Sequence, residues 1–227
     1  AWLLPNSHLQ TLFPFWYIKN KTFPHRMERF ELPDGDFIDG MWTDKPSAPT
    51  VVILHGLQGS IHSPHVNSLM HQIYNSTNWN AIALSFRGCS DTTQRLFRQY
   101  HGGDTEDIKF ILNLIKQRAP HQPLAVVGFS LGGNILLKLF GELKHNNLCE
   151  TGVAICPPFD LKASAQYMQQ GWSSMYDQMF LNDIKQSLLT KYPHNEPKEH
   201  MKKKLDGIQN LIELDEQITA PRYGFES

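Results

Sequence analysis

Cysteine is scarce in this chain. Cys89, Cys149 and Cys156 are the three in 227 residues, and none stands in a C-x-x-C pair. That spacing excludes a disulfide framework and a thiolate metal or redox site, so no metal is expected and the three read as reduced thiols of a cytoplasmic protein. Charge of one sign is lacking too. Lys and Arg total 21 against 22 Asp and Glu, a net charge of -1, which leaves no basic stripe to release counterions from nucleic acid. No apolar run approaches the roughly 18 residues of a membrane span. The opening Ala1-Trp2-Leu3-Leu4-Pro5 has neither the charged start nor the long apolar stretch of a signal peptide, and the absence of an initial Met hints at residues ahead of it. A soluble intracellular protein is the expectation.

What is present is a core. With 41% hydrophobic and 19% charged residues, the chain is long enough to bury one, and without repeats or a linker it reads as a single domain over 1–227. Residues 1–26 form an irregular arm rich in aromatics, among them Trp2, Phe13, Phe15, Trp16 and Tyr17. It is expected to dock on the domain, the alternatives being contact with a lipid surface or a second subunit. Oligomeric state leaves no trace in the sequence.

Met27 to Leu32 alternates apolar and polar residues, and Pro33-Asp34-Gly35 turns the chain into a second strand, Phe37–Trp42, giving an antiparallel hairpin. Short apolar strands at Val51–Leu54, Ala81–Phe86, Leu124–Val127 and Gly152–Ile155 then alternate with helical stretches at 64–75, 104–118 and 131–145. Strands apolar on both faces, separated by helices, predict a mostly parallel sheet covered on both sides, with the core over 27–160. Residues 161–217 read as a helical cap carrying Tyr167, Met168, Trp172, Met175, Tyr176, Met179 and Phe180. These are either plain core or the adaptable lining of an acyl pocket.

Gly128-Phe129-Ser130-Leu131-Gly132 is a G-x-S-x-G pattern directly after an apolar strand and directly before a helix. That context predicts a strained turn presenting Ser130 as a nucleophile, with Gly128 and Gly132 sparing the backbone a Cβ on either side and a helix N-terminus behind it. His55-Gly56-Leu57 follows the strand Val51–Leu54, where a second oxyanion donor is needed. The expected donors are the backbone N–H groups of Leu57 and Leu131, with His55 and Gly56 shaping the loop.

Together with Arg87-Gly88-Cys89-Ser90, Tyr100-His101-Gly102-Gly103-Asp104-Thr105 and the early His8-Leu9-Gln10-Thr11, these motifs resemble the YheT-type branch of the α/β-hydrolases, related to the mammalian abhydrolase-domain proteins 1 and 3. The resemblance covers nearly the whole chain. It implies an α/β-hydrolase fold and cofactor-free carboxylesterase or lipase-like hydrolysis of acyl esters by a Ser-His-Asp triad. Short to medium acyl chains are expected, with a place in lipid metabolism. Acyl transfer on the same fold and a non-catalytic binding module are the alternatives.

In that branch the triad acid and histidine follow the cap, so by this comparison both lie beyond residue 227, the last strands of the sheet are missing, and the 227-residue piece is nearly inactive. Loss of a triad histidine costs about a million-fold, roughly 8 kcal/mol of barrier. Within the chain, Asp160 at a strand exit reads as a cap or turn residue. His194 and His200 read as cap surface; His62, His65 and His71 as helix packing or surface; and His101 as a loop brace.

Overall fold

The computed structural model describes residues 6–45, 48–144, 148–193 and 197–225, with side chains at 14–16 left undescribed; the expectations for Trp2, Phe15, Trp16 and His194 lie outside the described residues. Six strands form one sheet: β1 (Arg26–Glu31), β2 (Phe37–Trp42), β3 (Thr50–Leu54), β4 (Asn80–Leu84), β5 (Leu124–Phe129) and β6 (Thr151–Ile155). Their order is β1-β2-β4-β3-β5-β6. The β1–β2 and β2–β4 pairs are antiparallel, and the other three are parallel.

Helices α2 (Pro64–Ser76), α3 (Glu106–Arg118) and α4 (Leu131–Leu143) connect the parallel strands. Because β3 and β4 are buried on both faces, two hydrophobic clusters form, one on each side of the sheet. The sequence set the start of α3 at 104, but Thr105 stands at its N-cap, and Asp104 lies before it. A second departure is the arm. Residues Ser7–Tyr17 form a helix, α1, instead of irregular chain. The Asn6 side-chain oxygen accepts from the backbone N–H groups of His8 (2.8 Å) and Leu9 (3.3 Å), satisfying first-turn donors that an aromatic-rich reading passes over.

After β6 come α5 (Leu161–Met168), a 3-10 turn at Gly171–Ser173, α6 (Ser174–Thr190) and α7 (Lys198–Asp206). A final helical run, α8 (Leu211–Leu214), a π turn (Asp215–Thr219) and α9 (Ala220–Tyr223), follows them. Helices α6, α7 and α8 and the π turn share a third cluster of buried residues including Leu181, Leu188, Leu205 and Ile218, and Leu57 touches both it and the core. The α6 end is pinned to the core: the Tyr192 hydroxyl donates to the Arg87 carbonyl (2.8 Å), and Gln94 N–H to the Lys191 carbonyl (2.7 Å). At the other end of the sheet β6 presents an open edge among the described residues, with Val153 and Ile155 exposed. No described helix is long and apolar enough to cross a membrane.

Candidate active site

Ser130 stands between β5 and α4 with φ 50° and ψ -118°, a strained conformation for a residue with a Cβ. It is held by its own main chain, whose N–H donates to the Ile155 carbonyl (2.9 Å) while its carbonyl accepts from Asn134 N–H (3.0 Å). Its exposed side-chain hydroxyl has no hydrogen-bond partner among the described residues. The glycines around it are demanded by contact. A Cβ on Gly128 would collide with the Gly132 carbonyl, and one on Gly132 would collide with the His55 carbonyl oxygen and lie 2.8 Å from that of Leu54. A Cβ on Gly56 would lie 3.2 Å from the Ser130 Cβ and 3.7 Å from its Oγ, so the 55–57 loop and the serine are neighbours.

The N–H groups of Leu57 and Leu131 have no acceptor among the described residues; Leu131 follows Ser130 in the chain, and Leu57 follows Gly56, which lies against the serine. Two side chains hold the loop. Phe86 N–H donates to His55 Nε2 (3.1 Å), which puts the ring proton on Nδ1, 2.7 Å from the Gly56 carbonyl. Burial holds the His55 pKa down at about 4, so the ring is a neutral brace. The second is Tyr100, whose hydroxyl oxygen accepts from Gln58 N–H (2.8 Å) and whose ring stacks on Phe86 with centroids 4.8 Å apart. Nothing in the one-dimensional pattern announced that role for Tyr100; it arises because the loop before α3 folds back over β4. Cys89, beside Tyr100, has its thiol pushed up to about 12 by burial, and so it stays protonated.

The other candidates lie apart from the serine's hydroxyl. Asp160 is the N-cap of α5, its carboxylate accepting from Ala163 N–H (2.8 Å). His65 packs its ring on Phe129 (4.7 Å between centroids), and burial lowers its pKa. His62 reaches toward Asp91 at 3.9 Å, and His71 packs edge-on to Phe23. His101 Nδ1 accepts from Gly103 N–H (3.1 Å), with the Tyr223 ring against it. Arg87, quoted above only as part of a motif, is the centre of a buried ion cluster: it is 1% exposed and meets Asp34 (2.8 Å), Asp36 (3.2 Å) and Asp107 (2.6 Å). The cluster joins the β1–β2 turn to the first turn of α3. Among the described residues no group of three or more His, Cys, Asp or Glu side chains is placed to hold a metal ion, and the three cysteines are free.

A mostly parallel sheet in this order, a strained serine at a strand-to-helix turn and a glycine loop beside it define a class, and the family model for the alpha/beta hydrolase fold matches residues 49–195. The chain belongs to the α/β-hydrolase fold family. It is similar to YheT of Escherichia coli, an esterase by name, with 34% identity over 97% of this chain and 66% of the relative. It is also similar to the Saccharomyces cerevisiae medium-chain fatty acid ethyl ester synthase/esterase 2, with 39% identity over 56% of this chain and 28% of the relative. The chain thus spans less than two thirds of the length of either. Among solved structures, the Pyrococcus furiosus esterase Pf2001 superposes with TM-score 0.56 at 22% identity over 77% of this chain and 73% of that one, a likeness of fold.

Proposed function

We propose that the protein is a serine hydrolase of carboxylic esters in which Ser130 is the nucleophile and the Leu57 and Leu131 amides hold the oxyanion. The observation that carries this reading is the strained Ser130 with Gly56 against it, while the next amide on each of these two stretches, Leu131 and Leu57, has no acceptor among the described residues. Ser130 Oγ bonds to the ester carbonyl carbon and its proton passes to a general base; the carbonyl π pair moves onto the oxygen facing the two amides. Collapse of that adduct breaks the bond to the alcohol oxygen, which takes the proton back, and water repeats the cycle on the acyl-enzyme. None of His55, His62, His65 and His101 is assigned as the base, each being engaged elsewhere. The esterase name of the YheT relative supports the substrate class. Short to medium acyl chains remain part of the proposal.

A fluorophosphonate probe tests it on the intact protein. Labelling is expected and is lost in Ser130→Ala; an unlabelled protein, or equal labelling of the variant, overturns the reading. The second reading, transfer of the acyl group to an alcohol instead of water, is favoured by the synthase/esterase name of the yeast relative. Ester formation in the presence of added ethanol separates the two, because only the acceptor differs.

A further inference from the structure

The turn after His55 is held in a form that its residues resist. Gly59 N–H donates to the Gly56 carbonyl (3.1 Å), closing a β-turn over residues 56–59 whose central pair is Leu57 and Gln58. Gln58 has φ 52°, while Leu57 is not among the residues with positive φ. Positive φ at the third position alone marks the type II turn, which calls for glycine there because a Cβ is crowded in that conformation. Rotating the central peptide, the plane that joins Leu57 to Gln58, would give a type I turn and return Gln58 to negative φ. Relief of strain therefore favours the flip.

Tyr100 opposes it. The N–H of the central peptide belongs to Gln58 and donates to the Tyr100 hydroxyl oxygen (2.8 Å), a bond that a flipped plane forfeits. The ring is held independently of its hydroxyl, stacked on Phe86 and edge-on to His55 with centroids 4.8 and 6.3 Å apart. The loop that carries Tyr100 also touches the serine's helix: a Cβ on Gly102 would lie 3.2 Å from Leu131 Cδ1 and 3.3 Å from Asn134 Oδ1. The plane before the central one joins Gly56 to Leu57. Its carbonyl end accepts from His55 Nδ1 and Gly59 N–H, and its other end is the Leu57 amide. The two planes meet at the Leu57 Cα, so that amide keeps one direction only while both are held.

We propose that Tyr100 is a positioning residue: by holding the Leu57–Gln58 peptide it keeps the turn in its strained form, and so keeps the Leu57 amide aimed for the oxyanion. This role rests on the ester-hydrolase reading above, in which that amide is a donor. Tyr100→Phe retains the stacked ring and frees the peptide. In the intact protein, kcat for p-nitrophenyl butyrate should fall about fivefold to tenfold, the factor set by one lost hydrogen bond in a two-state turn, with KM within about twofold of the parent. The strain supplies the diagnostic. Glycine at position 58 adopts positive φ without steric cost, so the double variant Tyr100→Phe, Gln58→Gly should recover kcat to within about twofold, and Gln58→Gly alone should change it little. A side chain that only adds stability gives no such rescue. An unchanged kcat in Tyr100→Phe, a change carried by KM alone, or a loss that Gln58→Gly leaves in place overturns the role. Fluorophosphonate labelling of Ser130 keeps the two readings apart: a labelled parent without rescue removes the positioning role and leaves the hydrolase reading, whereas an unlabelled parent that hydrolyses no ester removes both.

Discussion

The main chain at 54–57 and 128–133 is held by direct contact of backbone on backbone, with glycines where a single methyl group would collide. The neighbouring stretch from Phe159 through the 3-10 turn is its opposite. Neither α5 nor that turn buries a residue, and Phe159 and Trp172 are 84% and 79% exposed. The difference teaches where the tolerance of this molecule lies. A frame in which one added methyl group would collide has little room to move, whereas the segment beside it is restrained mainly by contacts with the helices that follow it.

The largest effect is expected where the hairpin is tied to α3. Arg87→Leu leaves Asp34, Asp36 and Asp107 without their shared cation in a buried place and should cost about 3–5 kcal/mol by urea denaturation. A loss below about 1 kcal/mol would show that the cluster is solvated. Next comes Gly132→Val, which drives side-chain atoms into the Leu54 and His55 carbonyls and should cost at least about 3 kcal/mol. In the same helix Gly141→Ala meets nothing within 4 Å and should instead stabilise by about 0.5–1 kcal/mol. Similar outcomes at the two glycines would erase the contrast.

Acid acts with opposite sign on two buried groups, His55 in the frame and Asp104 just before α3. Burial depresses the His55 pKa from 6.5 to about 4, so the unfolded chain binds the extra proton first, and stability falls as pH drops from 6.5 toward 4. Asp104 has the other sign. Burial, with Asp107 nearby, raises it from 3.8 to about 6, so its folded form binds the proton first and stability rises as pH drops from 6 toward 4. Asp104→Asn should therefore make stability fall more steeply on acidification, by about 1–3 kcal/mol over that window. Parallel curves for variant and parent would show that Asp104 titrates as a solvated carboxyl.

The smallest effects belong to the segment after β6. Tyr192→Phe removes the hydrogen bond to the Arg87 carbonyl and should cost about 1 kcal/mol in thermal or chemical denaturation. Trp172→Ser should stay within about 0.5 kcal/mol of the parent. A larger loss at Trp172 would place that ring in a packed interior.

Much of the architecture could be read along the chain. The bounds of β2 and the identity of each strand and connecting helix followed from apolar runs and their period, because burial on two faces leaves a run and burial on one leaves a rhythm. The strained turn at Ser130 followed from its glycines. The loop braces did not. Tyr100 reaches Gln58 across 42 residues, and Arg87 reaches Asp36 across 51, distances over which no sequence period operates. The helix in the arm escaped for a different reason: its start rests on one Asn side chain, a weak signal among conspicuous aromatics.

Neighbours along the chain were enough to decide the strand-to-helix turn, the hairpin and the alternation of layers, since torsional strain, turn chemistry and apolar period act over a few residues. Only folding in three dimensions could decide that Gly56 lies against Ser130, that His55 is neutral, and that α6 comes to face residues 58–60 across an open cavity. Those outcomes depend on which surfaces meet and how much water leaves, and both are properties of the packed molecule.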